Sequence, residues 1–449
     1  MTGGRVVVVG GGLAGIAAAL SCADSGARVT LLERRPHLGG LTRSFRHGDW
    51  TFDNGQHVFL RCCTAYLGLL ERIGASGDVT VQDRLSLPVL APGRATGWIR
   101  RRGRLPAPLH LAGSLAAYRH LPVADRLKLG LAVIPLSRLD LADPGLDSIT
   151  FGRWLADHSQ SPRAIASLWD LITVPTVNLP AAEASLAVAA KVFQTGLLTD
   201  PTAADLGWPL VPLGRLHGER ALAALRTAGA EVLTGERVLA VEEGSGFTVQ
   251  TEHRRIDADA VVVALPHDVI PTILPAAALP TRPTAGLGAS AVVNVHVVYD
   301  RKVTDLAMAA GVDSPVQYFF DRTDSAGVDH GQYLAVSLSA ADRLLSTPPD
   351  QLITEMTAAL AALLPGARHA RVVDALVTKE RAATFRAVPG TRPLRAEAAT
   401  GVRGLALAGA WTDTGWPATM EGAVRSGRSA ALVALIAAGQ TRKLPEEVA

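Results

Sequence analysis

Val6-Val7-Val8-Val9-Gly10-Gly11-Gly12-Leu13-Ala14-Gly15 is the stretch that decides the fold. Four β-branched residues in a row, without alternation, read as a strand buried on both faces of a parallel sheet. The strand runs directly into a G-x-G-x-x-G pattern formed by Gly10, Gly12 and Gly15. A helix is predicted from Leu13 to Ser25, with Gly26 placed to end it, and a second strand from Arg28 to Leu32 with Glu33 at its carboxyl end. Such a unit holds the pyrophosphate of a dinucleotide. Gly10 permits the tight turn, Gly12 lets the backbone approach the phosphates, and Gly15 lets the helix pack close to the strand. The helix start at Leu13 and Ala14 presents amides and the positive dipole end, while Glu33 can accept hydrogen bonds from ribose hydroxyls. The acid stands 23 residues beyond Gly10 in a complete strand–helix–strand setting, which is far more specific than a lone glycine motif.

Two further stretches ask for a cofactor longer than a nicotinamide dinucleotide. Gly39-Gly40-Leu41 follows Glu33 and Arg34 by a few residues and would let the backbone run close beside the ligand. Near the other end, Gly404 to Gly409 reads as a short strand and turn, and Ala410 follows it. Pro417-Ala418-Thr419-Met420 then opens a small-residue helix through Ser426 and Ala430, whose positive end could stabilise negative charge on a reduced flavin ring.

These pieces, with the segment Val261-Val262-Val263-Ala264-Leu265-Pro266, resemble the FAD-containing amine oxidase and phytoene desaturase superfamily. Within it, Asp53-Asn54-Gly55-Gln56-His57 and the run from Gly415 to Gly427 resemble the hydroxysqualene dehydroxylases of hopanoid biosynthesis. The resemblance implies an α/β fold: a Rossmann-like FAD-binding domain with a parallel sheet, interleaved with an α+β substrate domain. It assigns 1–80, 205–270 and 395–440 to the FAD domain, 85–200 to a helical insertion and 275–390 to a β-rich one. Val238, in a strand from Arg237 to Val241, and Ala264 join the FAD set on the adenine side, and Asn54 and Gly55 join it on the flavin side. One residue departs from the pattern. The superfamily usually carries an acid after the C-terminal glycine, where this chain has Ala410: the Gly409 and Ala410 backbone can still meet the pyrophosphate, but without the acid's ribityl hydrogen bond binding is expected to weaken by about 1 kcal/mol.

The implied activity is the reductive removal of an allylic hydroxyl from a C30 isoprenoid, with hydride delivered by reduced flavin. His57 and Asp53 are the candidates to protonate the leaving hydroxyl, and Gln56 to orient it. Enclosure in an apolar pocket should raise the pKa of Asp53 and lower that of His57. The alternative is that Asp53 and Asn54 only shape a turn and His57 bonds to backbone. Glu421 is a second acid, more in keeping with a capping role. Trp411 and Trp416 read equally as walls of a lipid pocket or as core. A carotenoid desaturase or isomerase keeps the same scaffold, and an amine oxidase less readily, since no aromatic cage for a substrate nitrogen can be assigned.

Composition bounds the rest. Among 449 residues, 48% are hydrophobic and 19% charged, which excludes a disordered or fibrous chain. Net charge is only +3, so nucleic acid is not an expected partner. Of 44 basic side chains 39 are arginine, a skew that looks like GC-rich coding rather than a binding signal. Cys22, Cys62 and Cys63 are odd in number and suit neither a disulfide framework nor a metal site, so no metal is expected and a reducing cytoplasm is. Trp98 to Leu115 mixes Arg100, Arg101, Arg102 and Arg104 with apolar side chains, and is a candidate for peripheral contact with the inner face of a membrane. The electron donor stays open, because there is no second dinucleotide fingerprint.

Overall fold

The Arg5–Val9 strand lies at the centre of a five-stranded, all-parallel sheet in the computed structural model, which describes residues 3–103, 105–280 and 284–440. The order is Glu231–Thr234, Arg28–Glu33, Arg5–Val9, Ala260–Val263 and Leu405–Leu407, so the sheet is drawn from three separated stretches of chain. The unbroken valine run has its explanation in burial on both faces. Val6 and Val8 pack with the Leu13–Asp24 and Met420–Ala437 helices, through Ala17, Ala18, Val424 and Ala431. Val7 and Val9 point the other way, to Val249, Ile270 and Phe385. An antiparallel sheet of Val238–Glu243, Phe247–Thr251 and Arg255–Ala258 contributes to that second face.

The second body is a seven-stranded sheet. Its order is Val372–Thr384, Ser290–Tyr299, Gln332–Leu338, Tyr318–Asp321, Met308–Gly311, Ser86–Leu90 and Gly97–Arg100. The last two strands fall in the 85–200 stretch that the sequence reading takes as helical. They form a hairpin because Leu87, Val89 and Ile99 alternate inward onto the sheet core. The remainder of that stretch is helical, and it packs through Phe151, Trp169 and Phe193. The Pro349–Leu363 helix covers Val293, Val295 and Leu334.

Asn54 stitches the two bodies together. Its carbonyl accepts from Asn294 Nδ2 (3.2 Å) and Thr378 Oγ1 (2.9 Å) on neighbouring strands of the large sheet. Its side chain binds the Leu41 carbonyl (2.8 Å) and the Arg43 amide (3.1 Å) beside the glycine loops. No helix among the described residues is long and apolar enough to cross a membrane.

Candidate functional site

The chain leaves the Arg5–Val9 strand at Gly10 in a left-handed turn, φ +107°. A Cβ at Gly15 would fall on the Gly10 carbonyl oxygen, so only glycine lets the helix begin there. The second glycine pair folds back on the first: the Gly39 amide donates to the Gly11 carbonyl (2.8 Å), and a Cβ at Gly40 would meet Gly12 Cα at 2.9 Å. At Gly12 itself, a Cβ would find nothing nearer than Gly40 Cα at 3.8 Å, so that glycine keeps space open above the helix start. Buried Glu33 accepts from the Gly11 amide (2.7 Å) and the Arg35 amide (2.8 Å), which fixes its carboxylate at the rim of the loop.

The other expected FAD contacts distribute unevenly. Ala264 pairs with Val9 and lies against Gly10 and Gly15, and Val238 stands two residues past Glu236, whose amide donates to the Glu33 carbonyl (2.9 Å). Arg34 and Leu41, by contrast, project to solvent. The neighbouring Arg35 turns inward and donates to the Gly40 carbonyl (3.1 Å), and burial pushes its guanidinium down from the usual range, as do Arg43 and Arg34. Sequence reading passed over Arg35 and Arg43 because a basic residue beside a glycine loop is common and carries no spacing signal.

At the C-terminal strand, Gly409 adopts φ +144° and its amide donates to Ser426 Oγ (2.9 Å), which presses the turn against the last helix. Arg395 holds this loop from behind, donating to the Trp411 and Thr412 carbonyls at 3.3 and 2.5 Å and to that of Ala410 at 3.4 Å. Its guanidinium lies over the Phe385 ring, and burial lowers it to about 10. Thr419 caps the Met420–Ala437 helix through the Gly422 amide (3.2 Å). Trp411 is core, donating to the Leu265 carbonyl (2.9 Å). Glu421 caps a helix other than its own. Fully buried, it accepts from the Ala65 (3.1 Å) and Tyr66 (2.7 Å) amides at the start of Thr64–Arg72 and pairs with Arg425 (2.7 Å).

Asp53 closes the Trp50–Asp53 strand rather than sitting in a turn. It accepts from Ser44 Oγ (2.6 Å), the Leu213 amide (2.9 Å) and Arg322 (3.3 Å). Burial pushes its carboxyl up, while Arg322, Ser44 and the Leu213 amide pull it back. His57 lies four residues on, with Nδ1 on the Gly55 carbonyl (3.3 Å), and burial lowers its pKa below 6.5. His217 was missed by the sequence reading. It is fully buried, bonds to Tyr66 OH (2.7 Å), and is lowered to about 3 by burial and then by the charge of nearby His57. Asn294 was missed too, although Asn and His interrupting the apolar run Ala291 to Tyr299 were a usable signal.

Beside the last helix start lies a cavity of about 110 Å³, lined by Val58, Cys62, Thr176, Lys191, Trp416 and Met420. Lys191 Nζ and the Arg425 guanidinium both lie near the Trp416 ring, at 5.2 and 5.0 Å. Burial, then Arg425, push the Lys191 ammonium down from 10.5.

Of the twelve buried polar atoms that find no hydrogen-bond partner among the described residues, four concern this site: Arg43 Nη1, Gln56 Nε2, His217 Nδ1 and Asn294 Oδ1. A buried orphan of this kind costs about 1–3 kcal/mol. All four belong to segments that meet around Asn54–His57, between the glycine loops and the large sheet. Cations, amide groups and a close-set glycine backbone are the donor set that a pyrophosphate and a polar ring edge require, so the residues present fit FAD.

A family model described as flavin containing amine oxidoreductase matches residues 13–435. The hydroxysqualene dehydroxylase of Rhodopseudomonas palustris is 28% identical over 443 aligned positions, covering 96% of this chain and 98% of that protein. The chloroplastic/chromoplastic zeta-carotene desaturase of Zea mays is 27% identical over 486 positions, covering 94% and 82%. Among solved structures, cyclohexylamine oxidase from Brevibacterium oxydans superposes with a TM-score of 0.69 at 19% identity, covering 98% of this chain and all of that one (100%).

Proposed function

The chain belongs to the flavin-containing amine oxidoreductase family and is an FAD-dependent oxidoreductase, and on that premise we propose that it reductively dehydroxylates hydroxysqualene to squalene in triterpenoid biosynthesis. The observation that carries the proposal is collinearity. The dehydroxylase aligns over 443 positions that span nearly all of both chains, whereas the desaturase needs 486 positions for slightly less of this one. In this reading reduced FAD supplies the hydride that replaces the departing oxygen.

The residues divide the remaining work. With the proton of Nδ1 directed at the Gly55 carbonyl, His57 Nε2 is left to give a proton to the hydroxyl, so that water rather than hydroxide departs. Its lowered pKa makes the imidazolium a stronger acid, and the Asp53 charge favours forming it. Asp53 accepts from three donors, so it serves as electrostatic support. Gln56 Nε2, buried and free of partners among the described residues, orients the substrate oxygen. The apolar cluster reaching Val58 keeps water from a cationic carbon. A C30 hydrocarbon lives in a bilayer, which gives the Trp98–Leu115 stretch its role as a peripheral contact on the cytoplasmic face.

Carotene desaturation is the second reading, favoured by the nearly equal identity to the Zea mays protein, 27% against 28%. An amine substrate fits less well, since Lys191 and Arg425 already occupy the surroundings of Trp416 and would repel an ammonium. The test is anaerobic: reduce the flavoprotein, add hydroxysqualene, and follow flavin reoxidation while extracts go to mass spectrometry. Squalene formed one-for-one with oxidised flavin is the expected result. Intact hydroxysqualene over a flavin that stays reduced rejects it, and colour development with carotenoid precursors would establish the second reading.

A further inference from the structure

Between residues 97 and 136 the molecule turns apolar side chains outward. Leu105, Leu109, Val123, Leu127, Leu131 and Ile134 are 52, 55, 63, 80, 54 and 49% exposed. Six of the thirteen large hydrophobic residues exposed among the described residues therefore fall within thirty positions. The last four recur at spacings of four, four and three along the Val123–Lys128 and Gly130–Leu136 helices, which places them on one stripe. The opposite face, Leu129, Ala132 and Leu136, is buried in the core. A helix pair packed only against its own protein would carry charge where these four stand.

Alongside lies a cavity of about 360 Å³, lined by Thr96, Trp98, Arg100, Arg102, Ser114 and Arg119. Arg100 stacks on Trp98 at 4.1 Å, and its Nε is buried without a hydrogen-bond partner among the described residues. No described carboxylate forms an ion pair with Arg100, Arg102 or Arg119, although seventeen other arginines among the described residues have such a partner. Arg104, the fourth arginine of the stretch, lies outside the described residues. Arg126 binds the Ala116 carbonyl (2.6 Å) and so holds the striped helices next to this cavity.

We propose that this face is a docking surface for an anionic phospholipid bilayer, with Val123, Leu127, Leu131 and Ile134 in the acyl boundary and a lipid phosphate among Arg100, Arg102 and Arg119. The charge selects the occupant. In a two-fold dimer through this face the same arginines would confront one another, whereas a leaflet of phosphates neutralises them. The core beneath the stripe is continuous through Leu168, Phe193 and Leu197 with Val58, adjacent to His57. That continuity sets the docking face and the site on one apolar core. The link to the site rests on the isoprenoid reading above, while the docking does not.

The test uses flavin-loaded, full-length protein and vesicles without isoprenoid, so its outcome is independent of the reaction. Co-sedimentation with phosphatidylcholine vesicles is compared with and without phosphatidylglycerol. Binding should be strong only with phosphatidylglycerol and weaken in salt. Each exposed arginine is worth roughly fivefold near such a surface, so Arg102→Ala with Arg119→Ala should cut partitioning by about 25-fold. Leu127→Glu with Leu131→Glu should abolish it, with flavin content and Tm unchanged. A fluorophore on Leu127→Cys should shift to the blue on the same vesicles. Absent binding by the wild type, variants that bind as it does, or an unshifted fluorophore on vesicles that carry the protein would each overturn the proposal. So would Leu127→Glu/Leu131→Glu splitting a wild-type dimer that ignores lipid.

Discussion

Around Gly10 and Gly40 the peptide groups are paired with one another and with Glu33, while around His57 the buried atoms Gln56 Nε2, His217 Nδ1 and Asn294 Oδ1 lack partners among the described residues. The first region is finished by local sequence: turn, glycine and acid lie within thirty-five residues and bond to each other. The second is assembled from segments at 53–57, 213–217, 294 and 378, and each brings one group to a common place. A region that completes itself should tolerate no extra atom. A region left incomplete should tolerate change structurally and lose only chemistry.

Replacing Gly15 by Val tests the first half hardest. Its Cβ falls on the Gly10 carbonyl oxygen, so the helix must move, at a cost of about 3 kcal/mol or more. Flavin-free, poorly folded protein with a sharply lowered Tm is expected. Gly12→Ala is the sharpening control, since its Cβ meets nothing nearer than 3.8 Å. It should keep the Tm of the apoprotein and lose flavin. Equal Tm losses in both variants would erase the distinction between a glycine that packs and a glycine that makes room.

His57→Ala tests the other half. Loss of an acid at the reacting oxygen should lower kcat by about 10²–10⁴-fold, with flavin content and Tm close to wild type. If protonated His57 is the active form, kcat/KM is full at low pH and falls as pH rises through a value below 6.5, because burial lowers that pKa. A flat profile, or a variant with full activity, would remove His57 from the reaction.

Glu421 supports the second region from outside, because its carboxylate on the last helix caps Thr64–Arg72, whose Tyr66 bonds to His217. Glu421→Ala strands two helix-start amides and the half-exposed Arg425, for which about 2–3 kcal/mol of stability is expected to go. Urea unfolding measures it. A loss of activity at unchanged stability would make Glu421 part of the chemistry instead of the scaffold.

What was legible in the sequence follows the same division. The valine run, the glycine spacing and Glu33 lie close together and impose a backbone path, so the sheet centre and its helix could be read directly. The hairpin at Ser86–Leu90 and Gly97–Arg100 was hidden because a Pro and a short alternation look weak until Met308–Gly311 pairs beside them. Asp53 was legible as a buried acid but not as an ion-paired one, since Arg322 stands 269 residues away. His217 had no local mark at all: its meaning comes from Tyr66, and no periodicity links them.

Two neutral histidines make the assembled region sensitive to acid. His217 and His296 are lowered from 6.5 to about 3, chiefly by burial. Between these values the unfolded chain binds protons that the folded one refuses. Stability is therefore complete above pH 6.5 and falls as pH drops towards 3, by up to about 1.4 kcal/mol per pH unit for each group. Tm measured at pH 7 and pH 5 should show the drop, and His296→Gln should remove part of it. A Tm that does not change over this range would mean the two imidazoles titrate normally.

The smallest effect probes the one place where the self-completing region falls short. Ala410 follows Gly409 on the strand end, half-buried, and only its carbonyl is engaged, by Arg395. The side chain offers the cofactor no acceptor, whereas the rest of the loop is held as firmly as the N-terminal glycines by Ser426 and Thr412. Ala410→Glu adds an acceptor for a ribityl hydroxyl without asking the backbone to move. It should tighten FAD by about 1 kcal/mol, near fivefold in Kd, and raise the Tm of the flavin-loaded protein while leaving the apoprotein unchanged. Weaker FAD binding in this variant would mean that the new charge is felt by the pyrophosphate before any hydroxyl is reached, and that Arg395 behind the loop, not an acid in front of it, is what this chain uses to hold that end of the cofactor.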